Sequence, residues 1–215
     1  MGVNSRGIKS WDDYFIPGTR TLKNLVGRPS GPYGVEDPVK LAVLEQAAST
    51  VRIAELQRNP LQGDFDYTHF KATHRYIFQD IYEWAGEERV APTDRWMTKG
   101  GHAYYPAGPV LTEAAETQFR KLEQKDLLRG LAMEAFVSEL AEIWGEINVI
   151  HSFREGNTRT QVVFFSDLAR KAGFELPLAA FRDKDLRDAF IEARFHSQDT
   201  GDNTPLAEVL RRVVR

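Results

Sequence analysis

Between Leu131 and Ile150 the apolar residues recur with the period of a helix that is covered on nearly every side. Met133, Phe136, Leu140, Ile143, Ile147 and Ile150 fall on one stripe, and Trp144 widens it beyond an ordinary amphipathic face. Such a helix must be surrounded by other elements, which commits the chain to a core built from helices. The same period appears on both sides of it. Asp37-Pro38 opens a helix as cap and first-turn proline, with Leu41, Leu44, Ala48, Val51 and Leu56 at helical spacing and Asn59-Pro60 as its stop. Asp66 caps a second, whose apolar face runs through Phe70, His74, Ile77, Phe78, Ile81 and Ala85 to Gly86. Thr112–Leu122 is a third. Asn157 begins another, with Val162, Val163, Phe164, Phe165, Leu168 and Ala172, closed by Gly173. Two more are expected over 184–196 and 205–214, the last with Thr204 as cap and Pro205 in its first turn.

Two stretches break the pattern. Residues 87–109 place Val90, Trp96, Tyr104 and Tyr105 among Pro92, Gly100, Gly101, Pro106 and Gly108. That is hairpin chemistry with a long connection, and a lone hairpin needs helices to pack on. Residues 1–35 read as an irregular arm. Trp11, Tyr14, Phe15 and Ile16 precede the Pro17-Gly18 turn, and Gly27-Arg28-Pro29-Ser30-Gly31-Pro32 follow. The expected architecture is mainly α, with a single β-hairpin: one domain over 36–215 and the arm packed upon it.

Composition narrows the chemistry. The 215 residues contain no cysteine, which removes disulfides, thiolate metal sites and a thiol nucleophile. The 28 Lys and Arg against 31 Asp and Glu argue against broad nucleic-acid binding, which normally shows a basic surplus. No apolar run approaches the roughly 20 residues of a membrane span. Met1–Gly7 lacks the apolar core of a secretory signal. A cytoplasmic chain without membrane or direct nucleic-acid contact is the expectation.

The break after the buried helix is the specific part: His151-Ser152-Phe153-Arg154-Glu155-Gly156-Asn157-Thr158-Arg159. Free backbone N–H groups at the start of the next helix form an anion site. Gly156 allows a tight turn and close approach of a phosphate. Asn157 either caps the helix or donates its amide to a phosphate oxygen. Arg159 in the first turn opposes the helix dipole, a conflict that a bound polyphosphate removes. Glu155 offers hard oxygens suited to a magnesium ion already touching phosphates. Phe153 is an apolar pin, and His151 titrates near working pH and can take a proton from an attacking hydroxyl. Residue by residue, the same stretch also reads as a solvated connection with a capping Asn and a core histidine. Glu155 follows His151 at a metal-pair spacing, but Gly156 interrupts the helix that such a pair needs. His69 and His74 read as structural, His102 and His196 carry no signal, and the Trp and Phe residues read as core.

The segment resembles the signature of the Fic (filamentation induced by cAMP) family, His-x-Phe-x-(Asp/Glu)-Gly-Asn-Gly-Arg-x-x-Arg. Asp12–Thr19 and Leu22-Lys23-Asn24 are similar to the N-terminal arm of bacterial Fic toxins and effectors. Phe65-Asp66 through Gly86 resembles the helix before the family's flap hairpin, and Thr98-Lys99-Gly100-Gly101 resembles the flap. The similarity spans about residues 11–196. It implies a compact helical fold whose β element is the flap. It also implies a protein adenylyltransferase, moving AMP from ATP to a Ser, Thr or Tyr hydroxyl of a target protein. By position, His151 would be the general base and Glu155 the magnesium ligand. Arg154, Gly156, Asn157, Thr158 and Arg159 would contact the nucleotide, with Arg159 neutralising the leaving pyrophosphate. Lys99, Gly100, Gly101 and Tyr104 would clamp the target segment by strand addition.

Two positions depart from the signature. Thr158 stands for its second Gly and Val162 for its final Arg. In the family that Arg holds the γ-phosphate and receives the glutamate of an inhibitory helix. An Arg–phosphate bond contributes about 1.5–3 kcal/mol, so Val162 implies weakened or redirected ATP binding unless another Arg or Lys replaces the cation in space. Val162 also keeps two alternatives open: kinase activity like that of the Doc branch, which lacks the same Arg, and a catalytically weakened Fic-fold binding protein. The inhibitory pattern (Ser/Thr)-x-x-x-Glu-(Gly/Asn) is approached by Thr112–Glu116, but Thr117 follows. Inhibition is therefore expected from a separate small antitoxin carrying that helix, with the chain as toxin of the pair.

Overall fold

In the computed structural model the 131–150 stripe is a helix, here α4 (Met133–Ile150), with Phe136, Leu140, Trp144 and Ile150 wholly buried. The structure describes residues 7–27 and 33–215. The expectations for Met1–Arg6 and for Arg28–Pro32 lie outside the described residues. Around α4 pack α3 (Pro109–Gln124), α5 (Asn157–Ala172), α6 (Lys184–Thr200) and α7 (Thr204–Arg211). Before these in the chain come α1 (Pro38–Arg58) and α2 (Tyr67–Phe78), then the strands β1 (Met97–Lys99) and β2 (His102–Tyr104). Among the described residues there are seven α-helices and one two-stranded antiparallel sheet, the mainly α architecture that the periodicity predicts.

Asp37 caps α1 by accepting from Val39 and Lys40, and Asp66 caps α2 by accepting from His69. Three details differ from the sequence expectation. Helix α2 ends at Phe78, because the N–H groups of Ile81 and Tyr82 both turn back to the Phe78 carbonyl, at 2.9 Å each. Ile81 and Ala85 are buried all the same, from a turn. On α1, Val51 faces solvent and Leu56 takes the buried position. At α7, Thr204 lies inside the helix: Asn203 is the cap residue, and Asp202 Oδ1 accepts the Thr204 N–H at 2.9 Å.

The core has two parts. The larger surrounds α4. The smaller joins the arm to α1, α2 and residues 81–85 through Tyr14, Leu41, Leu56, Ile77, Phe78, Tyr82 and Trp84. Tyr14 is edge-on to Trp84 at 5.5 Å, and the Leu25 N–H donates to the Ile81 carbonyl. Buried Asn24 staples the arm: its Nδ2 donates to the Leu22 and Val35 carbonyls and its Oδ1 accepts from Val26 and Val35.

The hairpin turns through Gly100 and Gly101, both at positive φ (61° and 89°), the requirement of a two-residue primed turn. Strand β2 packs on α4 and α6, with the His102 ring stacked on Phe195 at 3.8 Å and its Nδ1 2.9 Å from Asp199. The outer edge of β1 is left without a strand partner among the described residues.

Candidate active site

Helix α4 stops because His151 takes a left-handed conformation, φ 51° and ψ 58°, which few residues with a Cβ adopt. Gly156 (φ 81°) then starts α5. A Cβ at Gly156 would run into the edge of the Phe78 ring, so the loop is pressed directly onto α2.

Four groups hold that loop. Phe153 is fully buried, stacked on His74 at 3.8 Å and on Phe70 at 5.4 Å. Asn157 grips Phe153 from one turn on: its Oδ1 accepts the Phe153 N–H at 2.9 Å and its Nδ2 donates to the Phe153 carbonyl at 2.7 Å. His74 Nδ1 accepts from the Gly86 N–H at 2.8 Å, so the proton sits on Nε2, which donates to the Glu155 carbonyl at 2.9 Å. Complete burial pushes this imidazole down to about 3 and keeps it neutral. Arg89, 1% exposed, closes the C-terminus of α4. Its Nε donates to the His151 carbonyl at 2.8 Å and its Nη2 to the Ile150 and Tyr105 carbonyls. A cation there also suits the negative end of the helix.

Between this loop and the hairpin lies a cavity of about 90 Å³, lined by Lys99, His151, Glu155, Gly156, Asn157, Thr158 and Arg159. The first backbone amides of α5, which have no helical acceptor, belong to its wall. The Tyr104 ring packs on His151 at 4.4 Å. Burial first, then the charges of Lys99, Arg89 and Arg194, hold the His151 imidazole well below its ordinary value, so it is a neutral base at neutral pH. Glu155 brings a carboxylate to the same cavity, with Oε1 accepting from the Gly156 N–H at 3.1 Å. Among the described residues no cluster of three His, Cys, Asp or Glu side chains is placed to hold a metal by itself. One hard carboxylate beside free amides does fit magnesium that draws its remaining ligands from phosphates and water.

The structure brings most of the sequence-derived candidates together, and it moves three. Arg154 turns away from the cavity. Its guanidinium lies 4.1 Å from the centre of the Trp11 ring and 5.2 Å from that of Phe15, held by aromatic faces of the arm. Asn157 spends both side-chain groups on Phe153, leaving its backbone for an anion. Tyr104 is buried against His151, so from the hairpin it faces the base, while Lys99, Gly100 and Gly101 stay exposed. Arg159 lines the cavity but is already engaged: Nη2 pairs with Glu45 of α1 and Nη1 donates to Ser49 at 3.0 Å.

Sequence reasoning missed Arg89, Glu45 and Arg194. Arg89 and Glu45 carry no local signal. Arg194 does: it follows Leu186 and Phe190 at four-residue intervals, a charge on a buried stripe.

The model of the Fic/DOC family matches residues 64–169. The probable protein adenylyltransferase y4lH of Sinorhizobium fredii is 35% identical over 204 residues, 94% of this chain and 96% of that protein. The probable protein adenylyltransferase Fic of Salmonella typhimurium is 32% identical over 165 residues, covering 77% of this chain and 76% of that one. Among solved structures, the type IV secretion system effector protein BepA superposes with a TM-score of 0.82 at 27% identity, covering 97% of this chain and 70% of that one. The chain belongs to the Fic/DOC family. It is an enzyme of the nucleotidyltransferase class, the activity that the names of these curated relatives carry.

Proposed function

We propose that the chain transfers AMP from ATP to a Ser, Thr or Tyr hydroxyl of a target protein. The observation that carries this reading is the small cavity that unites a neutral, half-buried imidazole, one carboxylate and the free amides of a helix start. Its relatives' names support it, as does a structural neighbour, BepC of Bartonella tribocorum, with bound AMPPNP (TM-score 0.81, 24% identity, covering 95% of this chain and 97% of that one).

In this reading His151 takes the proton of the target hydroxyl as its oxygen attacks the α-phosphorus. The bond from that phosphorus to the bridging oxygen breaks, and pyrophosphate leaves with the electron pair. The amides of Asn157, Thr158 and Arg159 receive the phosphate charge, and the α5 dipole adds to their effect. Arg159 meets the leaving group by exchanging its hold on Glu45. Glu155 would hold a magnesium ion, which would supply charge neutralisation on the phosphates. A target segment adds to the open edge of β1, where main-chain bonds tolerate varied sequence and Lys99 flanks the site. The cytoplasm supplies both ATP and magnesium, and a small antitoxin is the regulatory partner of a toxin built this way. Co-purification of such a small protein with the chain supports that last point, and full inactivity of the isolated chain with no such companion contradicts it.

ATP labelled at the α-phosphate separates the reading from its alternative. Transfer of α-label to protein, lost in His151→Ala while calorimetry still shows nucleotide bound, is the expected outcome. Transfer of γ-label instead supports the kinase reading that Val162 keeps open. Retained α-transfer in His151→Ala contradicts the role given to the base.

A further inference from the structure

Arg194 sits third on the stripe Leu186–Phe190–Arg194 of α6 and is 6% exposed, with its guanidinium over the Phe190 ring at 4.8 Å. Burying a cation is costly unless it is paired. Here both of its hydrogen bonds use Nη1, to Asn148 Oδ1 and Thr158 Oγ1 at 3.1 Å each, and both acceptors are neutral. Its Nε is buried with no partner. Among the described residues no carboxylate pairs with it, whereas Arg159 has Glu45 and Arg52 has Asp80 and Glu55. Burial pushes the guanidinium down to about 10, which still leaves it charged at neutral pH.

The side chain opens onto a second cavity, of about 410 Å³, between α1, α5 and α6. Thr158, Arg159 and Val162 line it as well. Thr158 and Arg159 also line the small cavity of His151 and Glu155. The two cavities therefore meet at the first turn of α5, and Arg194 stands at that junction on an element outside the motif.

We propose that Arg194 holds the terminal phosphates of the nucleotide, supplying from α6 the cation that Val162 does not supply from α5. This rests on the nucleotide reading above. A phosphate chain seated on the α5 amides and running past Thr158 arrives at the unmatched guanidinium. The Thr158 hydroxyl has one donor and two acceptor positions. It can accept from Arg194 and donate to a phosphate oxygen at once, a role that glycine cannot fill. One residue thus accounts for both departures of the motif.

The competing account is that Arg194 merely ties α6 to α4 and α5. Calorimetry with magnesium present, using AMPPNP and AMP as probes, tells them apart. In Arg194→Gln the affinity for AMPPNP falls about tenfold or more, while that for AMP is unchanged. Adding Val162→Arg to that variant restores the preference for AMPPNP, a rescue that a lost tie between helices does not give. Equal loss for both probes, or loss for neither, overturns the proposal. If Arg194→Gln does not fold, Arg194→Lys keeps the charge without the fork, and weakening confined to AMPPNP is again expected. A wild-type chain that binds neither probe overturns the nucleotide reading itself, an outcome distinct from equal binding by wild type and variant.

Discussion

The charge state of His151 is set by its surroundings rather than by its own chemistry. Burial removes solvent from the imidazolium, and Lys99, Arg89 and Arg194 repel it, so protonation needs a pH below the ordinary value of 6.5. In the proposed mechanism transfer requires the neutral ring, so activity is expected to be lost as pH falls through the depressed value. The acid limb of the kcat/KM profile is therefore expected below pH 6.5, measured on the free enzyme. Lys99→Met removes one repelling charge and moves that limb upward; a limb that stays in place shows that Lys99 does not act on the base. The residue types of this site were legible in the chain, because His151, Glu155 and Gly156 occupy positions whose chemistry is local. The fate of Arg154 was not. Its guanidinium goes to Trp11 and Phe15, which lie far away in sequence, and nothing adjacent to Arg154 announces that they will be near.

At the scale of elements, the loop between α4 and α5 is held in place because its polar backbone is answered from inside the protein. Asn157 provides two of those answers, at 5% exposure. Replacing it with Ala leaves the Phe153 N–H and carbonyl buried and unpaired, at a cost of about 1–3 kcal/mol each at most. Asn157→Ala is expected to lower stability by a few kcal/mol in urea titration with the slope unchanged, and to weaken nucleotide binding as the amides of α5 lose their alignment. Unchanged stability would show that water replaces both bonds. Helix existence was readable from apolar period and caps, as Asp37 and Asp66 show. Helix ends depended on tertiary contacts: α2 stops at Phe78 although its apolar pattern continues to Ala85, because the following turn buries Ile81 and Tyr82 against the arm.

For the whole molecule, His69, His74 and His151, all held below the ordinary imidazole value in the folded chain, couple folding to pH. His74 titrates near 6.5 when unfolded and at about 3 when folded. Between those values the unfolded chain binds the extra proton, so stability is complete above 6.5 and falls as the pH drops toward 3. The Tm is expected to decline across that window, and His74→Phe, which keeps the packing on Phe153, to flatten the decline while starting from a lower Tm. A slope unaltered by that change would assign the acid sensitivity elsewhere. The fold joins this core to the site through the same ring, since His74 carries the Glu155 carbonyl on one nitrogen and Gly86 on the other. The central claim is that this assembly moves AMP onto protein hydroxyls. The most direct measurement is intact-protein mass analysis of a lysate fraction incubated with magnesium and ATP, with the wild-type chain and with His151→Ala side by side. A target that gains one AMP unit with the wild type and none with the variant is the predicted result, and a gain of one phosphate unit, or no gain at all, contradicts it.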